Sequence, residues 1–422
     1  MTRVKRAWRD TFRALESRNY RRFFIGQIIS VSGTWMQSVA QAWLVLKLTG
    51  SGVALGLVVA CQFLPMLLLG PWAGVLADRV DKRRFLVITQ ATAATLALAL
   101  GVLTATGTVQ LWMVFLLAAA LGTVSAFDMP ARQTFVFEMV GPERLTNAVS
   151  LNSTVMNTGR LVGPAIGGVL IATVGLGVCF LVNAISYLAA IIALVGMRPD
   201  ELLRTEPVAR ARGQLRAGFR YVWATASLRT PLVLMAVVGT LAYEFQVTLP
   251  LLARFTFGVG AEGYGLMASA MSLGAVVGGL GFASRATPSH RRLGLAGFAF
   301  GGLIIVVAVM PTYGATLAVL PLMGAASIAF ITLGNSTLQL SADPAMRGRV
   351  IALYGVAFLG STPVGGPIVG WIGETLGPRW AIGLGGLAAL VATAFAWRSL
   401  AAQGRLVAEP TDVGPAVTPA AV

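Results

Sequence analysis

The sequence predicts an all-α membrane protein with twelve transmembrane helices in two pseudo-symmetric six-helix bundles. Three observations support this fold class: an apolar composition, apolar runs of membrane-spanning length, and an internal repeat. Of the 422 residues, 56% are hydrophobic and 11% are charged, and the mean hydropathy is +0.78. Because a soluble domain carries about a quarter charged residues, this composition indicates a membrane protein.

The apolar runs define the predicted spans, since a transmembrane helix needs about 20 apolar residues. No small-residue cleavage site follows the first run, so we expect that run to be a retained span and not a signal peptide. The twelve runs lie at residues 23–46, 52–77, 85–106, 111–127, 147–172, 176–197, 231–256, 263–283, 293–310, 315–340, 350–373 and 379–397.

The distribution of basic residues predicts the topology. With the N-terminus placed inside, 28 of the 32 Lys and Arg residues fall in inner segments. This asymmetry follows the positive-inside rule, so we expect an integral protein of the cytoplasmic (inner) membrane with both termini in the cytoplasm. The net charge of +16 therefore sets the topology, helped by membrane lipids, and no nucleic-acid partner is expected.

The chain divides into five predicted segments. In the first, Trp8, Phe12 and Leu15 recur at helical spacing among arginines, which is typical of an amphipathic helix on the membrane surface. The last is rich in Pro, Ala and Val, and we expect it to be disordered. In order, the cytoplasmic N-terminal segment, the N-terminal bundle, the cytoplasmic basic linker, the C-terminal bundle and the cytoplasmic tail are residues 1–22, 23–197, 198–230, 231–398 and 399–422.

An internal repeat relates the two bundles. A shift of 203 residues aligns RLTNAVSLNSTVMNTGRLVGPAIGG (144–168) with RGRVIALYGVAFLGSTPVGGPIVGW (347–371). The Gly-Pro pair of the first segment then meets Gly366 and Pro367 of the second. A parallel repeat of this kind, with a binding site between the halves, is characteristic of one large class of secondary transporters.

Two motifs carry a resemblance to a known family. The loop GVLADRVDKRR (74–84) resembles the signature of the major facilitator superfamily, and GRLVGPAIGG (159–168) resembles the fifth-helix motif of its drug:proton antiporters. Residues 17–30, 130–133 and 250–279 are similar to the branch that contains enterobactin exporters and macrolide efflux pumps. The matching positions are Gly74, Asp78, Arg79, Arg83 and Arg84 in the first motif, and Gly159, Gly163, Pro164, Gly167 and Gly168 in the second.

The resemblance implies the major facilitator fold and a conformational gate at the loop 74–84. Asp78 would accept hydrogen bonds from the start of the eleventh span, near Arg347, only while the inner gate is closed. The alternative is a cluster of charges that only fixes topology. Asp81 stands where the family has a second glycine.

Small residues mark one face of the fifth span. Gly159, Gly163 and Gly167 recur every four residues and let another backbone approach closely, as do Gly274 and Gly278 of the eighth span. By resemblance, these two faces meet at the interface between the halves. Ordinary packing within a half is the alternative.

Two ionisable residues fall within predicted spans. Arg160 is expected to bind an anionic group of the substrate or to pair with a carboxylate, unless it only satisfies carbonyls near Pro164. Glu244 is the clearest carboxylate inside a span. Burial of a carboxylate favours its neutral form, so Glu244 is a candidate for proton coupling, with recognition of a substrate cation or a structural hydrogen bond as alternatives.

The predicted function is proton-coupled export of amphipathic small molecules, such as drugs, macrolides or a siderophore, by alternating access. The alternatives are a facilitator of lysophospholipid or other solutes, and a non-transporting receptor. No enzyme, metal or ATP signature occurs, so we expect no cofactor beyond a proton gradient, and a monomer. The predicted substrate cavity is lined by Trp35, Met36, Phe63, Met66, Arg160 and Phe245.

Overall fold

The computed structural model describes residues 12–203, 214–283, 288–344, 346–358 and 360–402. Within these ranges the chain is almost wholly helical and contains no strand. Half of the predicted N-terminal segment, ten residues of the linker and nearly all of the tail lie outside the described residues.

Six long helices form the first half of the chain. Side chains of Ser17, Ser51 and Asp81 accept a backbone N–H in the first turn of helices one, two and three, which stabilises each helix start. Asp81 therefore has a capping role at the position where the family has glycine. The helices are α1 (Arg18–Thr49), α2 (Gly52–Arg79), α3 (Lys82–Ala105), α4 (Leu111–Val140), α5 (Leu145–Val174) and α6 (Leu176–Val195).

The described residues of the second half form nine α-helices, because the linker contributes one and two of the six predicted spans are each broken into two. The seventh span consists of α8 and α9 with a π-helical turn after each, and the eleventh consists of α13 and α14. The helices are α7 (Gln214–Ala224), α8 (Ala226–Val237), α9 (Phe245–Leu251), α10 (Ala261–Gly278), α11 (His290–Val309), α12 (Tyr313–Ser341), α13 (Arg347–Phe358), α14 (Thr362–Thr375) and α15 (Pro378–Ala402).

Eleven helical segments of the described chain are long and apolar enough to cross a membrane. They correspond to the predicted spans two to twelve. The remaining prediction, residues 23–46, lies in α1, which has 32 residues but carries buried Gln27, Gln37 and Gln41. These polar side chains lower the hydropathy of α1, and they are buried in the protein. The eleven segments of membrane-spanning length identify an integral membrane protein.

Each half packs mainly on itself, and the main contacts between the halves are made by two helix pairs. In the first half, α2 lies against α4, α3 against α6, and α1 against α5 and α6. In the second half, α11 lies against α15 and α12, and α10 against α12. The contact between halves runs along α2–α14 and α5–α10.

The glycines that recur every four residues in α5 and in α10 do not face each other. A Cβ added at Gly159 or Gly163 would meet the backbone of Val31 or Ser32 in α1. Gly274 and Gly278 lie equally close to α12. The expectation that these glycines form the interface between the halves is therefore wrong: they provide close packing within each half, the alternative that the spacing had left open.

Candidate functional site

A cavity of about 320 Å³ opens inside the first half. Trp35, Phe63 and Met66 line it, as the sequence predicts. Most of its wall comes from α1, α2, α3 and α4, and Gln246 of α9 contributes from the second half. The lining residues are Ser30, Val31, Thr34, Trp35, Gln37, Ser38, Gln41, Gln62, Phe63, Met66, Gln90, Ala93, Leu121, Val124, Ser125, Asp128, Met129, Arg132, Gln133, Asn152, Met156, Tyr187 and Gln246.

Two residues of the predicted lining, Met36 and Phe245, lie elsewhere. Met36 is buried and its backbone is close to Gly163 and Gly167, so it belongs to the α1–α5 contact. Phe245 packs edge-on against Tyr243, with ring centroids 5.2 Å apart. Both were assigned to the cavity by span position alone, which does not determine the direction of a side chain.

Arg160 lies over the ring of Trp35, with the guanidinium carbon 4.7 Å from the ring centroid. No carboxylate within the described ranges forms an ion pair with it. This cation–π contact holds the charge beside a residue that lines the cavity, and such contacts are worth about 0.5–2 kcal/mol. Arg160 thus borders the cavity without being part of its wall.

An ion pair that the sequence prediction missed occupies the cavity wall. Asp128 and Arg132 are one helical turn apart on α4 and are joined by a salt bridge. Asp128 Oδ1 also accepts hydrogen bonds from Thr89 Oγ1 at 2.7 Å and Gln90 Nε2 at 2.8 Å. Arg132 Nη1 donates to Gln27 Oε1 at 2.6 Å. The i, i+4 spacing of the two charges was the available sequence signal.

The seventh span is interrupted at Glu244. The π-helical turn Val238–Ala242 ends before it, and α9 begins after it at Phe245. The side chain of Glu244 is only 3% exposed, and its Oε1 has no hydrogen-bond partner among the described residues. Gly365 of α14 leaves room for the carboxylate, because a Cβ there would lie 2.9 Å from Oε1. A discontinuous helix that carries a buried carboxylate is a common feature of ion sites in transporters.

The two halves touch through α2 and α14 at the end of the molecule where the α1–α2 loop lies. We name this end the outer end, after the predicted topology. Glu374 Oε2 accepts hydrogen bonds from Ser51 Oγ at 2.6 Å and from Val53 N at 3.0 Å. Next to it, glycines on both helices allow the backbones to touch. A Cβ added at Gly366 would lie 3.0 Å from the carbonyl oxygen of Gly56.

The α5–α10 contact closes the second side of the outer end. A Cβ added at Gly168 would lie 2.8 Å from the Cα of Glu262, and Gly265 is equally close to α5. Deeper in the protein, Ser269 Oγ donates to the carbonyl oxygen of Leu161 at 2.7 Å. Of the second motif, Gly168 is therefore the glycine that touches the other half.

The predicted gate residues lie at the inner end of α2 and the start of α3. The side chain of Asp78 is outside the described part of the structure, Gly74 and Arg79 belong to the last turns of α2, and Arg84 is exposed. Arg83 donates to the carbonyl oxygens of Leu194 and Val195. In this state Arg83 thus caps α6 of its own half and forms no hydrogen bond or ion pair with the described residues of the second half.

Comparisons with known proteins agree with this architecture. The sequence model of the transmembrane secretion effector family, MFS_3, matches residues 9–409. The multidrug efflux pump Tap of Mycolicibacterium fortuitum is 29% identical over 359 residues, which are 82% of this chain and 87% of that protein. The enterobactin exporter EntS of Shigella flexneri is 24% identical over 361 residues, 85% and 86% of the two chains. The resemblance to this branch of the major facilitator superfamily is confirmed.

A solved structure shows the same fold. A bacterial homologue of the human lysosomal transporter Spinster, in an inward-facing and unoccupied conformation, superposes with a TM-score of 0.73. The match covers 94% of this chain and 99% of that chain at 15% sequence identity. At that identity the likeness shows the fold alone.

Proposed function

We propose that this chain, which belongs to the transmembrane secretion effector family of major facilitator transporters, exports amphipathic small molecules in exchange for protons. Drugs such as macrolides, or a siderophore made by the cell, are the proposed cargo. The names of the relatives support this assignment, since one is a multidrug efflux pump and another an enterobactin exporter. The proposed cycle is alternating access of the cavity to the two sides of the membrane.

The proposed architecture has twelve spans, with α1 as the first and with bundles at residues 23–197 and 231–398. The linker at 198–230 and both termini are proposed to be cytoplasmic, in the inner membrane. We expect a monomer with no cofactor other than the proton gradient. The proposed inner gate is the loop 74–84, in which Asp78 bonds to the start of α13 when that gate closes.

The proposal of proton coupling rests on the surroundings of the Glu244 side chain. Its carboxylate is buried and has one oxygen without a hydrogen-bond partner among the described residues, at a break in a membrane-spanning helix. An ionised carboxylate in such a place is expensive unless a cation or proton neutralises it. A proton on Glu244 removes this cost, so the protonated and ionised forms of the carrier favour different conformations.

The cavity supports amphipathic cargo. Trp35, Phe63 and Met66 offer apolar surface, and the glutamines beside them offer hydrogen bonds. The closed outer end and the contacts of Glu374 support an assignment to the inward-open state, in which cargo enters from the cytoplasm.

The test uses inside-out vesicles with an acidic lumen and a pH-sensitive dye. Candidate macrolides, cationic dyes and catecholate siderophores are added to wild type, Glu244→Gln and Glu262→Gln. Glu262 is a matched control because it is exposed and, among the described residues, its side chain accepts a hydrogen bond only from Gly260 N, directly before α10. At least one cargo should release lumenal protons from wild type and from the control, and Glu244→Gln should abolish the release while it still binds cargo.

The same assay identifies the alternatives. If labelled cargo moves at a rate independent of the gradient, facilitated movement of lysophospholipid or another solute replaces proton-coupled export. If no cargo moves, and the chain keeps its function when Asp78 or Glu244 is neutralised, the chain is a non-transporting receptor with a transporter fold. A response of Glu262→Gln equal to that of Glu244→Gln would remove Glu244 from the mechanism.

A further inference from the structure

We propose that the cavity selects its cargo by hydrogen bonds to cargo oxygen atoms, made by Arg132 and Gln133 of α4, Asn152 of α5 and Gln246 of α9. The favoured cargo carries carboxylate, carbonyl or clustered hydroxyl groups and has no net positive charge. This proposal rests on the proposed function, because it assumes that cargo passes through this cavity.

The first argument is the electrostatic balance of the wall. Asp128 and Arg132 are the ionised lining side chains among the described residues, and they neutralise each other. Asp128 already accepts three hydrogen bonds, from Thr89, Gln90 and Arg132, and its side chain is 5% exposed. A cationic cargo would have to break these bonds to reach the carboxylate, so the cavity offers a cation little stabilisation.

Arg132, in contrast to Asp128, has N–H donors that form no hydrogen bond with the described residues. A guanidinium has five N–H groups. Arg132 donates through Nη1 to Gln27 and through Nη2 to Asp128, whereas its Nε is buried and has no acceptor in the described part of the chain. A buried donor without an acceptor costs about 1–3 kcal/mol. An oxygen atom of the cargo can supply the missing acceptor.

The carboxamides of the cavity divide into paired and unpaired groups. Gln41 donates to Gln62 at 3.2 Å, and Asn183 donates to Gln37 at 2.6 Å. Within the described chain, the lining amides without a hydrogen bond to protein are Gln133, Asn152 and Gln246. Each of these amides has two donors and one acceptor, and these groups face a cavity where a cargo can use them.

The three unpaired amides come from three helices in two halves. Gln133 and Asn152 belong to α4 and α5, whereas Gln246 is the lining residue of the second half. A cargo that bonds to both sides connects the halves across the cavity. It therefore stabilises the conformation in which they approach at the inner end, which is the step that transport requires.

The test compares three probes with the same aromatic ring: naphthylacetate, naphthylacetamide and naphthylmethyl-trimethylammonium. Binding to the purified full-length protein in nanodiscs is measured by titration calorimetry at one pH, without a gradient. We expect the two oxygen-bearing probes to bind about tenfold more tightly than the cation. Gln133→Leu and Gln246→Leu should each weaken them about fivefold, and should leave the cation unchanged.

A matched control is Gln339→Leu, because Gln339 bonds to Asn335 on α12 and does not line the cavity. Monodisperse elution and an unchanged Tm identify variants that remain folded. Tighter binding of the cation, no binding of either oxygen-bearing probe, or cavity variants that behave like Gln339→Leu would overturn the proposal. Because no proton gradient is used, this result is independent of whether proton coupling is found in vesicles.

Discussion

Glu374 is expected to hold the outer end closed, and its replacement by glutamine measures that contribution. The carboxylate of α14 bonds to Ser51 Oγ and Val53 N at the start of α2. These contacts join the two halves, so they must break whenever the outer end opens. The start of α2 also favours a negative charge, because its first N–H groups are unsatisfied within the helix.

The magnitude follows from the geometry and the exposure. Hydrogen bonds to a charged group contribute about 1.5–3 kcal/mol when buried, but Glu374 is exposed, and exposed ionic contacts retain about 1 kcal/mol or less. Glutamine keeps an acceptor oxygen and loses the charge. We therefore expect Glu374→Gln to cost the closed outer end about 1 kcal/mol, which shifts the ratio of closed to open molecules about fivefold.

The assay is pulsed electron paramagnetic resonance with spin labels on Lys47→Cys and Leu376→Cys, both exposed at the outer end. The free native thiols, Cys61 and Cys179, are first replaced by alanine. Glu374→Gln should increase the population with a long distance between labels about fivefold.

Glu262→Gln is the control, since it removes a carboxylate at the outer end whose hydrogen bond, within the described residues, is to Gly260 N directly before α10. Acidification of the outer side should reproduce the effect of Glu374→Gln in wild type and should have no further effect on that variant. If Glu374→Gln gives the same distance distribution as Glu262→Gln, the carboxylate does not hold the outer end.

Two more predictions concern packing and stability. Gly56→Val places a side chain against the backbone of Gly366, so the same pair of labels should report an open outer end, whereas transport should fall. Lys82→Met breaks the buried ion pair with Glu138, whose atoms are 2.6 Å apart. Removal of the Lys82 ammonium group from this buried pair should cost about 3 kcal/mol of stability and lower the Tm, whereas the exposed Arg84→Met should not; equal Tm values for the two variants would contradict this account.

The helical architecture was predictable because a membrane requires long apolar helices whatever their neighbours are. The glycine spacing in α5 likewise identified a face for close packing. The helix that packs against this face was not predictable, because a glycine such as Gly163 lets the backbone of any neighbouring helix approach closely. In the structure that helix is α1.

The polar part of the site was harder to predict. The apolar run of the fourth span ends at residue 127, so Asp128 falls just beyond the predicted span, but α4 continues to Val140 and Asp128 is buried within it. The break at Glu244 has no signal in its own residues, because the prolines of that span, Pro231 and Pro250, lie inside continuous helix. Both features depend on packing between helices, which hydropathy does not record.

The break also places the proposed proton site and the proposed cargo contact on one short segment. The carbonyl oxygen of Glu244 accepts the N–H groups of Val247 and Thr248 at 3.0 Å each, so the first turn of α9, which contains Gln246, is hydrogen-bonded to the residue that carries the carboxylate. Coupling between two binding sites is reciprocal. If cargo affinity changes by a given factor when Glu244 is protonated, cargo binding must change the proton affinity of Glu244 by the same factor.

Titration calorimetry in buffers of different ionisation enthalpy measures the protons released per cargo bound. That release should match the pH dependence of cargo affinity in wild type and disappear in Glu244→Gln, and persistent release in this variant would assign coupling to another group.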